Sequence, residues 1–220
     1  MTSILDLAGQ RRAAAARMFW ASLLVTSVVV AGTISSAWAG GAKAPTLADL
    51  LIDASGGAEL DDNAHDYDII VQTVIALESL GGDTDLGGAT LLDVLSDPTA
   101  AVTAFVPRDS AFRRLARDLG WDGSGGDGGA LTTITNTFPL ETIRNVVKYH
   151  VVPGRLGVFK VLRTSTFDTV LPGTSFTRIG LRLKDNDPDL RDPFLTLPLG
   201  LRGGRSIAHT ITRVLIPVNL

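Results

Sequence analysis

The sequence lacks cysteine altogether and has only three histidines among its 220 residues. Without cysteine there is no disulfide framework, no thiol nucleophile, no thiolate zinc site and no lipid-modified cysteine anchor. Few histidines leave few general bases, and the sequence contains no G-x-S-x-G, H-E-x-x-H or P-loop motif. We therefore expect no enzyme, no catalytic residue, no metal centre and no cofactor. A hydrolase assembled from distant residues is the least favoured alternative.

Long hydrophobic runs are confined to the first 39 residues. An uncharged stretch over residues 18–32 follows three arginines and precedes Ala37-Trp38-Ala39. A basic flank, an apolar run and an A-x-A site are the three parts of a secretory signal peptide, so we interpret residues 1–39 as a cleaved export signal. The alternative is an uncleaved membrane anchor, because residues 18–37 have about the length of a spanning helix.

The chain after residue 39 has an excess of acidic side chains. It carries 22 acidic and 17 basic residues, a net charge of −5. An acidic exported chain has no overall attraction for nucleic acid or for anionic lipid. We therefore expect neither as a partner, and contact with a membrane only through an uncleaved signal segment.

Helical patterns dominate the first two thirds of the chain and strand patterns dominate the last third. Residues 40–66 are predicted to be a flexible spacer with one short apolar helix after Thr46, and residues 67–220 a single domain. The predicted helices are 69–80, 90–95, 109–119 and 140–149, with a strand at 102–106. A hairpin around Pro172-Gly173, a short strand at 194–197 and a long strand at 207–216 follow. This order predicts an α+β fold.

Two polar segments resemble ligand-binding loops without fitting them. Gly123, Gly125 and Gly128 have the G-x-G-x-x-G spacing but follow a predicted helix and not a strand, so we expect a loop without packing partners over 122–129. The alternating aspartates at 185–189 open like a calcium loop, but Leu190 and Thr196 occupy the positions of the required Gly and Glu. An EF-hand is excluded, and a looser calcium site stays open beside a plain acidic turn.

Three motifs occur in order along the predicted domain. The first is Thr103-Ala-Phe105-Val-Pro107-Arg-Asp109-Ser-Ala111-Phe112, in which Asp109 is expected to cap the helix that it begins. The second is Tyr149-His150-Val-Val-Pro153-Gly154. The third is His209-Thr-Ile211-Thr-Arg-Val214-Leu215-Ile-Pro217.

Together these motifs resemble those of the fasciclin-like domain family. The sequence departs from the family pattern at Arg108, where Thr is usual, at Arg205-Ser206 in place of Asn-Gly, and at Thr212 in place of Asp. The resemblance implies a wedge of antiparallel strands packed with helices. It also implies an extracytoplasmic, non-enzymatic domain that serves cell adhesion.

The resemblance places a binding site at Tyr149 and His150, because this region is a proposed receptor contact in the family. From the strand pattern alone, His209 between Ile207 and Ile211 is expected to be a buried structural histidine. We expect an unidentified protein or polysaccharide of the cell surface as the partner. A small-molecule or lipid carrier of the cell envelope is the alternative, and it would require an apolar cavity.

Overall fold

The computed structural model of the protein describes residues 44–81, 86 and 88–218. The predicted export signal over 1–39 lies outside these residues. Within the described part of the chain, no helix combines the length and the apolar character that a membrane crossing requires.

Helices form most of the first two thirds of the described chain, as predicted. They are α1 (Leu47–Ala54), α2 (Asp68–Ser79), α3 (Leu91–Ser96), α4 (Asp109–Asp118), α5 (Gly126–Thr137), α6 (Leu140–Tyr149) and the short α7 (Val158–Val161). The side chains of Thr46 and Thr90 accept hydrogen bonds from the third residues of α1 and α3, whose carboxylates return the bond. Such capping boxes fix where these two helices begin.

The spacer predicted over residues 40–66 is wrong for its described part, residues 44–66. Leu47, Ala48 and Leu51 of α1 are buried in the hydrophobic core that the helices share. Thr46, Ser55 and Asp66 of the same segment are also buried. The Gly203 backbone lies against Thr46 and Leu47 so closely that a Cβ on it would overlap with them. The folded domain therefore begins before residue 67.

The strands form two sheets. The first has the order β2 (Val151–Pro153), β1 (Val102–Pro107), β7 (Ser206–Ile211) and β6 (Leu195–Gly203), and the second the order β3 (Thr166–Asp168), β4 (Ser175–Ile179) and β5 (Arg182–Lys184). The predicted hairpin around Pro172-Gly173 is confirmed by the antiparallel pairing of β3 with β4. The pairing of β1 with β7 is parallel, from Thr103 opposite Ile207 to Pro107 opposite Ile211, so the first sheet is mixed. The fold is α+β.

The side chains of β1 alternate between two hydrophobic cores. Val102, Ala104 and Val106 belong to a helical core that the apolar faces of α1 to α6 complete. Phe105 points the other way, into an aromatic core with Phe167 and Phe176, whose ring centroids lie 5.1–5.3 Å from its own. Because each strand residue faces opposite to its neighbours, one strand can build both cores.

The end of the chain departs from its predicted strand lengths. The strand predicted over 207–216 ends at Ile211, because Thr212 bonds back to Phe194 through its backbone N–H at 3.0 Å and its Oγ1 at 2.9 Å. The longest strand is β6 with nine residues, although only 194–197 was expected. Pro198 within it is tolerated because β6 lies at the edge of the sheet.

The loop predicted over 122–129 is also wrong, because α5 begins at Gly126. Gly125 adopts a left-handed conformation at the helix start, and Asp127 is fully buried against Arg113, with Nε–Oδ1 and Nη2–Oδ2 distances of 2.6 and 2.9 Å. The N–H of the Trp121 ring donates to the carbonyl oxygen of Ser124 at 2.8 Å. A Cβ on Gly129 would overlap with that same carbonyl oxygen. The glycines therefore permit close packing.

We predict that Gly129→Ala destabilises the protein by about 1–3 kcal/mol, because the added methyl group would overlap with the carbonyl oxygen of Ser124 and force the backbone there to move. Gly128→Ala is the matched control: nothing lies within 4 Å of its Cβ position, so alanine should stabilise the helix by up to about 1 kcal/mol. Chemical denaturation of both variants measures the two effects. Equal stability of the two variants would contradict the packing of this segment.

Candidate functional site

Tyr149 and His150, the predicted binding residues, both lie inside the protein. Their exposed fractions are 0% and 4%. The Tyr149 hydroxyl donates to the carbonyl oxygen of Ser175 at 2.9 Å, and its ring packs edge-on against Phe176 at 5.7 Å. Burial raises the pKa of the Tyr149 phenol. The prediction that these side chains contact a ligand at the surface is therefore wrong.

His150 joins the end of α6 to the last buried segment of the chain. Its Nδ1 lies 2.6 Å from the carbonyl oxygen of Val146, and its Nε2 lies 2.9 Å from the backbone nitrogen of Leu215. Because the Leu215 N–H can only donate, Nε2 must be the unprotonated acceptor and Nδ1 the donor. Burial lowers the pKa of His150 to about 4, since a charged imidazole would lose both water and the Leu215 bond.

His209 is the buried structural histidine that the strand pattern predicted. It is 0% exposed, lies opposite Phe105 in the parallel pair, and places Nε2 2.8 Å from the carbonyl oxygen of Leu156. Its Nδ1 has no hydrogen-bond partner. Burial lowers the pKa of His209, so the ring stays neutral. Nε2 is bonded to the backbone and Nδ1 is buried in the core, so His209 has a structural role.

The other motif residues also build the fold. Thr103 Oγ1 donates to the carbonyl oxygen of Gly154 at 2.6 Å and accepts from the backbone nitrogen of Leu156 at 2.8 Å, which ties β1 to the segment after β2. Seven further motif side chains are buried, namely Phe105, Pro107, Phe112, Ile211, Val214, Leu215 and Pro217. These buried motif residues therefore contribute to packing within the domain.

Asp109 does not cap the helix that it begins. Its two carboxylate oxygens accept from the backbone nitrogens of Asp68 at 3.2 Å and Ile69 at 3.0 Å, at the start of α2. The first helix position of α4 is preceded by Arg108, which makes no side-chain cap. The sequence prediction named the correct side chain and the wrong helix, because the recipient lies about 40 residues earlier in the chain.

Asp109 belongs to a cluster of buried carboxylates that the sequence analysis missed. One carboxylate oxygen from each of Asp66, Asp68 and Asp109 lies within 4.8 Å of the others, and Asp68 forms a second such group with Asp61 and Asp127. Burial raises the pKa of the Asp68 and Asp109 carboxyls. The available signal was the spacing of aspartates at 61, 66 and 68 before α2, which was assigned to a polar spacer.

The alternating aspartates at 185–189 act on the backbone. Asp185 accepts from the backbone nitrogens of Ile216 at 2.8 Å and Asp187 at 3.2 Å. Asp187 accepts from those of Asp189 at 2.8 Å and Leu190 at 3.0 Å. These bonds describe an acidic turn, and within the described chain the carboxylates of this turn form no group of three with metal-ligand spacing.

Charge is distributed unevenly between the two ends of the chain. Residues 44–149 carry 17 acidic and six basic side chains, whereas residues 150–220 carry five acidic and ten basic ones. Eight of these ten basic residues are exposed, and only Asp168 and Asp189 of the acidic ones are: the basic set is Arg155, Lys160, Arg163, Arg182, Lys184, Arg191, Arg202 and Arg205. The overall charge of −5 hides this separation.

The large exposed apolar side chains come from the same part of the sequence. Among the described residues, every large exposed hydrophobic side chain comes after residue 158: Phe159, Leu162, Ile179, Leu181, Phe194, Leu197 and Val218. Arg178 connects two of these segments, since its guanidinium donates to the carbonyl oxygen of Leu162 and to that of Gly180, which lies between Ile179 and Leu181. Leu181 in turn accepts from the backbone nitrogen of Leu195, beside Phe194. We call the eight exposed basic residues and these apolar side chains the strand-side surface.

We predict that His150 makes the stability of the protein depend on pH. Its folded pKa of about 4 lies below the unfolded value of 6.5, so its contribution is complete above pH 6.5 and is lost as the pH falls toward 4. His150→Gln places an amide oxygen near Leu215 and cannot titrate. The free energy of unfolding of the wild type, relative to this variant, should fall by on the order of 2–3 kcal/mol between pH 7 and pH 4.5.

The comparison with His150→Gln cancels the carboxyl groups that titrate in the same range. These groups act in the opposite direction, since burial raises the pKa of Asp185 to about 6. A difference between the two proteins that stays constant from pH 7 to pH 4.5 would show that His150 is not buried in its neutral form.

Comparison with known proteins agrees with the order of the three motifs. The chain matches the Fasciclin domain model over residues 84–217. Among solved structures it is similar to a FAS1 domain pair from the insect cell adhesion molecule fasciclin I, at 14% sequence identity, with a TM-score of 0.40 and 66% of this chain covered. The chain spans 44% of that insect protein's chain, and no curated protein matches. Because the family model covers more than half of its length, the chain belongs to the fasciclin domain family.

Proposed function

We propose that the protein is an exported, non-enzymatic adhesion module that binds an acidic polysaccharide of the cell surface. The observation that carries this proposal is the strand-side surface: residues after 154 expose eight basic side chains and all seven of the large exposed apolar side chains of the described chain. Apolar patches rimmed by polar residues are typical of interaction sites. A fasciclin domain is compatible with this role, since the similar insect protein is a cell adhesion molecule.

The charges of this surface favour a polyanion over a neutral partner. Seven of the eight basic side chains have no acidic partner within 4.0 Å in the described chain, and Arg182 is 3.5 Å from Asp192. Arginine binds carboxylate and sulfate groups with two parallel hydrogen bonds. A chain of acidic sugars offers such groups at regular intervals, so several weak contacts act together. The exposed apolar side chains can then cover the less polar faces of the sugar rings.

The histidines support the absence of catalysis. His150 and His209 are buried, each with backbone partners, and both are held neutral. His65 is exposed, and the structure gives its ring no hydrogen-bond partner that would orient it as a general base. General acid–base catalysis requires a titrating group within reach of a substrate. We therefore place the function in binding.

The carrier alternative has less support. An apolar cleft lies between α1, α2, α3 and β1, and it encloses a cavity of about 60 Å³. Sites for small organic ligands usually have volumes of roughly 300–1,000 Å³. A cavity of this size would have to expand severalfold before it held a lipid chain.

We predict that the full chain binds an immobilised uronic acid polymer, and that binding weakens at least tenfold between 50 and 300 mM NaCl because salt screens the charges. The double variant Arg182→Glu, Lys184→Glu should lose at least tenfold in affinity. Arg117→Glu is the matched control, since Arg117 is also an exposed arginine but belongs to α4 and not to the strand-side surface. Surface plasmon resonance, with a neutral glucan as the reference, provides the measurement.

Equal loss of affinity in the double variant and in Arg117→Glu would mean that only net charge matters. Binding that survives both changes and 300 mM NaCl would contradict the polyanion proposal.

We also propose that residues 1–39 are removed during export, on the evidence of the arginine-flanked apolar run and Ala37-Trp38-Ala39. The protein recovered from the culture medium or cell envelope should begin at Gly40. N-terminal sequencing tests this directly. A protein that begins at Met1 and stays with the membrane fraction would establish the anchor instead.

A further inference from the structure

We propose that Asp66, Asp68 and Asp109 form a binding site for a divalent cation, and that Ca²⁺ is the ion that fits best. The three carboxylates come from the segment before α2, the first residue of α2 and the first residue of α4. Their exposed fractions are 5%, 0% and 0%. The inference does not depend on the proposed adhesive function, because none of these residues belongs to the strand-side surface.

Two of the carboxylates have an oxygen atom to which no N–H group of the described residues donates. Asp66 Oδ2 accepts from the Asn63 side chain at 2.9 Å, and Asp68 Oδ2 accepts from the backbone nitrogen of Asp61 at 2.6 Å. Oδ1 of Asp66 and Oδ1 of Asp68 are buried without a hydrogen-bond partner. A buried acceptor left unsatisfied costs on the order of 1–3 kcal/mol, and more when it is charged. These two oxygens therefore require a further group.

No positive side chain of the described residues forms a salt bridge with any of the three carboxylates. Arg113 is attracted to Asp109, but its two hydrogen bonds go to Asp127 and it lies 3.8 Å from Asp62. Asp109 accepts its two hydrogen bonds from neutral backbone nitrogens. Buried charges without a counter-ion are strongly destabilising in proteins, so such sites take up either a proton or a cation.

The donor set and its spacing favour Ca²⁺ among cations. All available ligand atoms are oxygens, which suits Ca²⁺ and Mg²⁺ better than the transition metals. Ligands on one Ca²⁺ lie about 2.3–2.6 Å from it, so two of them are at most about 5 Å apart, and the 4.8 Å limit within this cluster meets that condition. Mg²⁺ keeps several of its waters, and carboxylates this deeply buried leave little room for them.

A cation here would connect three segments that the backbone already brings together. Asp109 N–H donates to the carbonyl oxygen of Asp66 at 3.1 Å, and Ser110 N–H donates to that of Ala64 at 2.9 Å. The ion would therefore attach the segment before α2 to the starts of α2 and α4 at once. We expect it to stabilise the folded state and to act as a structural ion.

The test is calcium titration of the chelator-treated full chain by isothermal calorimetry, together with its melting temperature. Wild type should bind one Ca²⁺ with a dissociation constant near 10⁻⁴–10⁻³ M, as extracellular sites do. Its melting temperature should rise by roughly 3–6 °C in 10 mM CaCl₂, relative to NaCl of equal ionic strength. Mg²⁺ at the same concentration should give a smaller rise.

Asp66→Asn separates the cation from its alternatives. It keeps the shape of the side chain and the bond with Asn63 but removes the charge beside the unsatisfied oxygen, so calcium binding should weaken at least tenfold. Asp53→Asn is the control, because Asp53 is an exposed carboxylate of the same acidic half and lies outside the cluster. It should bind calcium as the wild type does.

Three results would overturn the proposal. The first is the absence of saturable calcium binding by the wild type, a measurement that needs no variant. The second is equal binding by the wild type, Asp66→Asn and Asp53→Asn, which would place the ion elsewhere. The third is a wild-type melting temperature that does not change with calcium but rises as the pH is lowered to 5, while that of Asp66→Asn does not rise. This result would show that the carboxylates share a proton and do not bind a cation.

Discussion

The parallel pairing of β1 with β7 is the constraint on which the rest of the structure depends. The two strands lie about 100 residues apart in the sequence and are buried along their full length. β1 contributes alternate side chains to the helical core and to the aromatic core, so the two halves of the domain share one strand. Because this pair closes a loop of about 100 residues, neither core can be completed until the C-terminal strand is in place.

The polar residues of the motifs reinforce the same pair. Thr103 and His209 lie on these two strands, and both bond to the segment at 154–156. Asp109 follows β1 directly and fixes the start of α2. The polar motif residues of this chain therefore hold its central strands in place. They identify the fold and carry no information about a ligand at the surface.

Elements with a local cause could be predicted from the sequence. The apolar periodicity of 109–119 and the threonine cap at 46 depend on residues three or four positions apart, and the corresponding helices were found. His209 was identified as buried because a strand places its neighbours on a known face. The order of helices and strands gave the α+β class for the same reason.

Features that depend on distant partners could not be predicted. The glycines of 123–129 have poor helix propensity, so the sequence does not indicate that α5 begins there. The first turn of α5 is held by Arg113 of another segment, which pairs with Asp127 and lies 3.8 Å from Asp62. Tyr149 and His150 stand at the end of a helix, where the sequence alone does not indicate burial. In the structure they bond to Ser175 and Leu215, which are distant in the sequence. The burial of Asp66 was not predicted, because the composition of its segment suggested a spacer. Net charge likewise concealed two regions of opposite sign.

The edge strand β6 has a consequence for how copies of this protein can meet. An edge exposes unpaired amide and carbonyl groups, and with Leu197 73% exposed it would invite another strand to add to the sheet. Pro198 removes one amide hydrogen there, and the register shifts between Leu195, Leu199 and Leu201 interrupt the regular spacing that a new strand would need. A surface with exposed apolar side chains beside such an edge can bind a partner through its side chains without promoting strand addition between copies of the protein.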